Sequence, residues 1–261
     1  MFLLVSFVGG ERVLDAYSLY TWKSIRSLVV FAWRPILLHL SSEGVVRTDA
    51  SLSVSCYALD IRTMMGADLA PHHLEGVPLR YCLLADRRRG DDSLLALATG
   101  ILLSDCLDIH DDSELIFSAS GKPYVLGRNL KISITHAGYL AVVAACEDAV
   151  GVDVEPIPSY TDHTHLRVLE GIYGKSKVDH KLALGGKTGP RYFAEMWTRA
   201  EATCKRDGVE LKSALRDNRD FLESSCLVSD ECKGHIVTSA TSEPASMKLE
   251  LLDFHDWMAR A

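Results

Sequence analysis

Two carboxylates alternate with two valines in the stretch GVDVEP, from Gly151 to Pro156. As a β-strand, this stretch buries Val152 and Val154 on one face and presents Asp153 and Glu155 on the other. Two adjacent acids on one face repel each other. A divalent cation relieves that repulsion, because hard cations take oxygen ligands. The stretch therefore predicts a strand that carries part of a metal site.

A second group of polar residues lies downstream in WTRAEATCK, from Trp197 to Lys205. Trp197, Glu201 and Lys205 are four residues apart, which places them on nearly one face of a helix. We expect this helix to run from Phe193 to Lys205. Taken alone, the pattern is typical of an amphipathic surface helix with one Glu–Lys pair.

Two shorter runs precede the acidic strand. The turn-rich segment FSASGKPY contains Gly121, Lys122 and Pro123, and the segment LKISITH predicts a strand that ends in His136. Taken alone, each is typical of an ordinary surface feature. The apolar run Tyr139 to Cys146 predicts a further strand, with hairpin connections near residues 137–138 and 147–148.

The remaining elements must position these groups. Arg87, Arg88 and Arg89 precede an apolar helix expected from Ser93 to Leu107. These arginines suit either a solvated surface or contact with a phosphate.

Residues 62–79 and 159–190 favour loops, with a helix start possible in the second segment, and a polar loop follows residue 221. His163 and His165 in that second segment lack partners that would indicate a metal site. Further strands are expected at Phe2 to Val8, within Leu28 to Leu40, and at Ser51 to Ala58, His235 to Ala240 and Met247 to Leu252.

Composition limits the classes of function. The chain has 261 residues, of which 48% are apolar and 24% are charged, as in a soluble globular protein. The net charge of −7 argues against broad nucleic-acid binding and leaves room for a local basic pocket. The seven cysteines form no CxxC pair, which suits a reducing compartment. No apolar run reaches the roughly 20 residues that cross a bilayer, so no membrane association is expected.

Taken in order, GKP, ISITHA, GVDVEP and W-x-x-x-E-A-x-x-K resemble the motifs of the 4′-phosphopantetheinyl transferases, in particular the larger, two-lobed surfactin-synthetase-activating class. The resemblance covers about residues 121–208, and it is weaker over residues 87–103. It implies transfer of the phosphopantetheine arm of coenzyme A to a serine of an acyl or peptidyl carrier protein, with release of adenosine 3′,5′-bisphosphate.

The resemblance also implies roles for individual residues. It assigns the magnesium ligands as Asp153, Glu155 and Glu201. It places against the phosphates of coenzyme A the residues Lys122, Thr135, His136 and Lys205. It implies that the catalytic residues are Glu201, Lys205 and His136.

The fold implied by the resemblance is α+β, with two similar lobes related by a pseudo-two-fold axis. Each lobe packs a long helix on a small antiparallel sheet, and coenzyme A lies between the lobes. We place the N-terminal lobe at residues 1–125 and the C-terminal lobe, with the metal-binding motifs, at residues 126–261. The resemblance implies a monomer, and a cytoplasmic location is favoured over a mitochondrial one.

Two departures from the family pattern leave alternatives open. Many relatives have a glutamate in an F-[ST]-x-x-E stretch as a proposed base for the carrier serine, and Lys177 stands there in this chain. Glu201, a metal-bound water or Asp179 would then activate the serine. Ala200 stands where relatives often have a lysine that contacts phosphate. The adjacent Arg199 would then substitute for that lysine. The alternatives are a non-catalytic protein of the same fold that binds coenzyme A or a carrier, and a metal-dependent phosphohydrolase. The carrier itself is not identified.

Overall fold

The computed structural model describes residues 4–8, 11–15, 52–184, 189–217, 222 and 225–261. The chain divides into two compact units, residues 1–50 and 51–261. In the first unit, strands β1 (Leu4–Val8) and β2 (Glu11–Asp15) pair antiparallel. β1 confirms the strand expected there, and the strand expected within Leu28 to Leu40 lies outside the described residues.

The second unit combines helices and sheets, which confirms the α+β prediction. Its strands are β3 (Leu52–Asp60), β4 (Leu115–Phe117), β5 (Pro123–Val125), β6 (Lys131–Ala137), β7 (Leu140–Cys146), β8 (Val150–Pro156), β9 (Cys226–Cys232), β10 (His235–Thr241) and β11 (Ala245–Leu251). Its helices are α1 (Leu79–Arg87), α2 (Asp91–Leu107), α3 (His163–Tyr173), α4 (Lys175–Leu184), α5 (Gly189–Asp207), α6 (Leu211–Asp217) and α7 (Phe254–Met258).

The strands of this unit form two sheets. The larger sheet has the order β11-β3-β7-β6-β5-β4, and the smaller has the order β8-β10-β9. Neighbouring strands run antiparallel except for the parallel pair β11 and β3. The chain changes sheets between β7 and β8, because β8 pairs with β10. The hairpin expected near residues 147–148 is therefore wrong, whereas the hairpin between β6 and β7 is confirmed.

β7 is buried on both faces and joins two parts of the core. Val143 and Ala145 pack in a cluster that includes Ile101 of α2. Val142 on the opposite face packs in a cluster that includes Val152 of β8. This alternation follows from the two-residue period of a strand, and it explains why the whole run from Leu140 to Cys146 is apolar.

Several elements differ from the expectations. α3 and α4 occupy much of the segment expected as loop, and Asp162 caps α3 by accepting hydrogen bonds from the amides of Thr164 and His165. α1 begins at Leu79, the last residue of a segment expected as loop, and α6 was not predicted. β9 lies in the expected polar loop. It is an edge strand of its sheet, and its acidic residues Asp230 and Glu231 are exposed.

The two long helices, α2 and α5, lie where the sequence predicts helices. α2 begins at Asp91 and α5 begins at Gly189, so both start earlier than expected. Among the helices of the described ranges, none has the length and apolar character needed to cross a membrane. The boundary near residue 125 and the symmetry of two lobes stay predictions.

Candidate active site

The acidic strand lies as its alternation predicts. Val152 and Val154 of β8 enter the core shared with β7. The alternate residues, Asp153 and Glu155, face α5; Asp153 is 5% exposed and Glu155 is half-buried. Burial of two carboxylates side by side needs compensation from other groups, because an unpaired buried charge is costly.

Gly151 allows α5 to cross β8 at very short range. A Cβ atom at this position would overlap the carbonyl oxygen of Ala202 and the backbone nitrogen of Arg206. Any side chain here would therefore push the helix away from the strand. The crossing brings Glu201 and Lys205 of α5 to the same face of β8 as the two acids.

The three carboxylates lie close enough to affect one another. Burial raises the pKa of Glu155 to about 7, and repulsion from Asp153 and Glu201 adds to this rise. Burial also raises the pKa of Glu201, again with a contribution from Asp153. The three residues expected to hold a metal thus lie within electrostatic reach of one another.

A closed network joins Asp153 to two neighbours. The Lys205 ammonium donates to the Asp153 Oδ1 at 2.6 Å and to the Thr135 Oγ1 at 2.8 Å. The Thr135 hydroxyl in turn donates to the same Oδ1 at 3.1 Å. Burial raises the pKa of Asp153, and these two partners oppose the rise. Lys205 therefore balances part of the charge of the acidic strand.

The donor set has the chemistry that magnesium prefers. Asp153, Glu155 and Glu201 offer hard carboxylate oxygens. Three ionised carboxylates carry enough negative charge to bind a divalent cation. Across the described residues, however, no three acidic, histidine or cysteine side chains converge on one point in a way that would hold a metal. The three residues fit the ion in type and charge, but in the described structure their carboxylates do not meet at one centre.

A basic cleft of about 730 Å³ adjoins this network. Its lining residues are Arg80, Tyr81, Leu83, Leu84, Arg87, Arg88, Ala96, Thr99, Phe117, Gly121, Pro123, Ile134, Thr135, His136 and Lys205. Arginine and lysine supply its charges, and among the described residues that line it there is no carboxylate. Such a cleft suits a polyanion with an apolar part.

Most residues expected to meet phosphate line this cleft. Thr135, His136 and Lys205 do so. Burial lowers the pKa of His136, and the charges of Arg88 and Lys205 lower it further. His136 is therefore neutral near pH 7 and offers a hydrogen bond, because its charged form is disfavoured.

Lys122 has a different environment. Its Nζ atom donates to the carbonyl oxygens of Val150 at 3.1 Å, Lys205 at 2.5 Å and Arg206 at 2.7 Å. Burial lowers its pKa to about 8. Its neighbours Gly121 and Pro123 line the cleft, whereas Lys122 is not among the described lining residues. Its contact with phosphate stays a prediction.

Arg80 was not predicted as a site residue, and His165 was predicted to lie in a loop or helix start without the partners of a metal site. Arg80 lies in the cleft with its guanidinium 4.3 Å from the centroid of the Phe117 ring. The apolar spacing of α1 was the signal that could have placed it. The charge of His165 lowers the pKa of Glu155, so this histidine lies near the acids, while its Nδ1 lies 2.8 Å from Asp162 Oδ1.

The candidates for serine activation differ in position. Lys177 is exposed on α4, and the Asp179 carboxylate lies 3.7 Å from the Lys175 ammonium. Arg199, expected to substitute for the lysine missing at position 200, pairs instead with Glu195 at 2.9 Å. Of the acids considered, Glu201 is the one beside the buried network.

No family model matches the chain, and no curated protein is significantly similar to it.

Proposed function

We propose that this protein transfers the phosphopantetheine arm of coenzyme A to a serine of an apo acyl or peptidyl carrier protein. One observation carries the proposal: Lys205 lines the basic cleft and also donates to Asp153 of the acidic strand. The cleft suits a ligand with several phosphates, and the acids suit a hard cation. A site that binds both together is suited to phosphoryl transfer.

The reaction forms one bond and breaks another. The serine Oγ bonds to the phosphorus that carries pantetheine, and the bond from that phosphorus to the bridging oxygen of the pyrophosphate breaks. Adenosine 3′,5′-bisphosphate leaves. When bound by Asp153, Glu155 and Glu201, magnesium would neutralise the charge of the pyrophosphate.

The chain's own residues have separate tasks in this reaction. Arg80 and Arg88 bind phosphate oxygens of the substrate, and His136 donates a hydrogen bond to them. Lys205 stabilises the departing bisphosphate, since its ammonium lies between the cleft and the acids. Glu201, whose pKa is raised, accepts the proton of the serine.

The finer features of the fold belong to the same proposal. α2 packs on the larger sheet and α5 packs on the smaller one. The proposal keeps two similar lobes divided near residue 125, with the larger sheet completed by β6, β7 and β11 from beyond that residue. The proposal also includes a monomer in the cytosol, a compartment that suits the seven free cysteines.

One observation favours a second candidate, a protein that binds coenzyme A or a carrier without transfer. Lys205 pairs with Asp153 at 2.6 Å, which removes part of the charge that attracts a cation. If that pair persists in the presence of magnesium and coenzyme A, the acids do not assemble a metal site. Binding then occurs without chemistry.

The test is a carrier modification assay. The purified protein is incubated with coenzyme A, magnesium and a panel of apo carriers, and intact-mass spectrometry records the gain of phosphopantetheine. We expect a gain on at least one carrier, lost on chelation of magnesium. The Asp153→Asn variant should lower the rate by about 100-fold or more. The Asp256→Asn variant is the matched control, because Asp256 is exposed on α7.

Each result decides between the candidates. Transfer by the wild-type protein that Asp153→Asn abolishes excludes the non-catalytic protein. Tight binding of coenzyme A with no gain of mass on any carrier, while a known transferase modifies the same panel, refutes the proposed function. Release of products from coenzyme A without a carrier indicates a hydrolase.

A further inference from the structure

All three N–H donors of the Lys122 ammonium are used within the protein. They meet the carbonyl oxygens of Val150, Lys205 and Arg206 at 3.1, 2.5 and 2.7 Å. A lysine ammonium has three donors and no acceptor. In this arrangement, Lys122 has no donor left for a ligand.

The three carbonyls belong to the two elements that form the acidic site. Those of Lys205 and Arg206 lie in the last turn of α5, where carbonyls lack partners within the helix and carry its partial negative charge. That of Val150 lies at the start of β8, three residues before Asp153. One side chain thus joins the end of the helix to the start of the strand.

The surroundings of Lys122 are shaped for this contact. Gly208 follows α5 with a φ of +70°, and a Cβ atom there would lie 3.3 Å from the Lys122 Cδ. The glycine both ends the helix and leaves space for the lysine stem. On the other side, the Lys122 amide donates to the Ser118 Oγ at 3.0 Å, which fixes the GKP turn.

The direction of the side chain also separates it from the cleft. Gly121 and Pro123 line the cleft on either side of Lys122 in sequence. Lys122 itself extends to the backbone of α5 and β8, away from the lining. The turn therefore uses alternate residues for two tasks, one facing the ligand space and one facing the helix.

We infer that Lys122 is a positioning residue that clamps the end of α5 to the start of β8 and so holds the Lys205 ammonium between Asp153 and Thr135. The inference rests on the proposed function, and it replaces the phosphate contact that the family resemblance implies for this lysine. Lys122 acts on the backbone of Lys205, whose side chain performs the chemistry. Loss of the clamp misplaces Lys205 and leaves the other phosphate ligands of the cleft, Arg80, Arg88 and His136, in place.

Steady-state kinetics distinguishes a clamp from a phosphate ligand. In the Lys122→Met variant, which keeps the apolar stem, kcat should fall by about 10-fold to 100-fold, because small misplacements of catalytic groups have effects of this size. The KM for coenzyme A should stay within about threefold of the wild-type value. Lys248→Met is the matched control, since Lys248 is 71% exposed on β11, and it should leave both constants unchanged.

Two outcomes overturn the inference. A rise of about tenfold or more in the KM for coenzyme A with kcat retained assigns Lys122 to phosphate binding. An unchanged kcat with an unchanged KM removes any positioning role. These outcomes leave the proposed function standing, whereas a wild-type protein that modifies no carrier refutes the function itself.

Labelling of lysines in the wild-type protein tests the clamp without a variant that has to fold. Acetic anhydride is applied with and without coenzyme A and magnesium, and mass spectrometry follows Lys122 beside Lys175, which is 74% exposed. We expect coenzyme A and magnesium to leave the labelling rate of Lys122 unchanged relative to that of Lys175, because the Lys122 ammonium bonds to backbone carbonyls and not to the ligand. Fast labelling of Lys122 that coenzyme A suppresses contradicts the clamp.

Discussion

Two close crossings of secondary structure organise the candidate site, and each depends on one glycine. At Gly100, α2 passes so near α1 that a Cβ atom would lie 2.8 Å from the Tyr81 Cβ and 2.8 Å from the Val77 Cγ1. At Gly151, α5 passes so near β8 that a Cβ atom would overlap the helix backbone. The first crossing meets side chains, and the second meets the main chain.

The two crossings position opposite charges. α1 carries Arg80 and Arg87 into the cleft, and α2 contributes Ala96 and Thr99 to its wall. The other crossing brings Glu201 and Lys205 to the acids of β8. The apolar helix α2 thus supports a basic binding surface, whereas α5 supplies chemical groups itself. Under the proposed function, the basic cleft and the acidic group therefore rest on separate packing contacts, which can be disturbed one at a time.

The largest effect is expected at the crossing of α5 and β8. Gly151→Ala should lower the free energy of unfolding by about 3 kcal/mol, because the backbone of Ala202 and Arg206 cannot move aside as a side chain would. Carrier modification should be lost even in the fraction that stays folded. Chemical denaturation followed by circular dichroism measures the first effect, and the mass assay measures the second.

Gly171→Ala is the matched control for that substitution. Gly171 lies within α3 and has no atom within 4 Å of the Cβ that would be added. The control should raise stability by about 0.5 to 1 kcal/mol through helix propensity alone. Equal stability of the two variants would show that the crossing at Gly151 is not tight.

A smaller effect is expected at the crossing of α1 and α2. Gly100→Ala should lower stability by about 1 to 2 kcal/mol, since the Val77 and Tyr81 side chains can shift and the gain in helix propensity offsets part of the strain. Because α1 moves, the KM for coenzyme A should rise by about threefold to tenfold with kcat nearly retained. A fall in kcat with an unchanged KM would contradict the separation of binding from chemistry.

The sequence predicts the features of this arrangement that lie within a single strand or helix. The period of two in GVDVEP and the spacing of four between Glu201 and Lys205 depend only on the geometry of one strand and one helix. Both predictions agree with the structure, including the opposite faces of β8. The overall α+β class, which the family resemblance implies, also agrees with the structure.

Contacts between elements could not be read from the same patterns. The Lys205 contact with Asp153 depends on the distance at which α5 crosses β8, and the position of Arg80 in the cleft depends on how α1 packs on α2 near Gly100. The change of sheet after β7 was missed because a short polar gap suits both a hairpin and a crossing to another layer.

The group of three acids, Asp153, Glu155 and Glu201, can be tested further by the pH dependence of stability. The pKa of Glu155 is raised to about 7 in the folded protein, above its ordinary value of 4.5. Between these values the folded state binds more protons than the unfolded state, so stability falls as pH rises from about 4.5 to 7. Allowing for screening of this half-buried side chain, the change should be about 1 kcal/mol.

Glu155→Gln provides the comparison for that pH dependence. Denaturant unfolding is measured with a chelator present at several pH values, for the wild-type protein and the variant. The difference in the free energy of unfolding between the wild-type protein and Glu155→Gln should narrow as pH falls towards 4.5. At low pH the wild-type carboxyl is neutral, like the amide of the variant. A constant difference across this range would place Glu155 outside the electrostatic reach of Asp153 and Glu201.

The smallest effect concerns neighbouring arginines at the end of α1. Arg88 lines the cleft and its charge lowers the pKa of His136, whereas Arg89 is not among the described residues of the lining. Arg88→Gln should raise the KM for coenzyme A by about threefold to tenfold, the loss of one partly exposed contact with phosphate, and Arg89→Gln should change it by less than about twofold. Titration of coenzyme A at low salt measures both, and at high salt the effect of Arg88→Gln should shrink as charges are screened. Equal effects of the two substitutions on the KM would mean that the arginines act as a diffuse basic surface. That result would contradict a specific phosphate contact at Arg88.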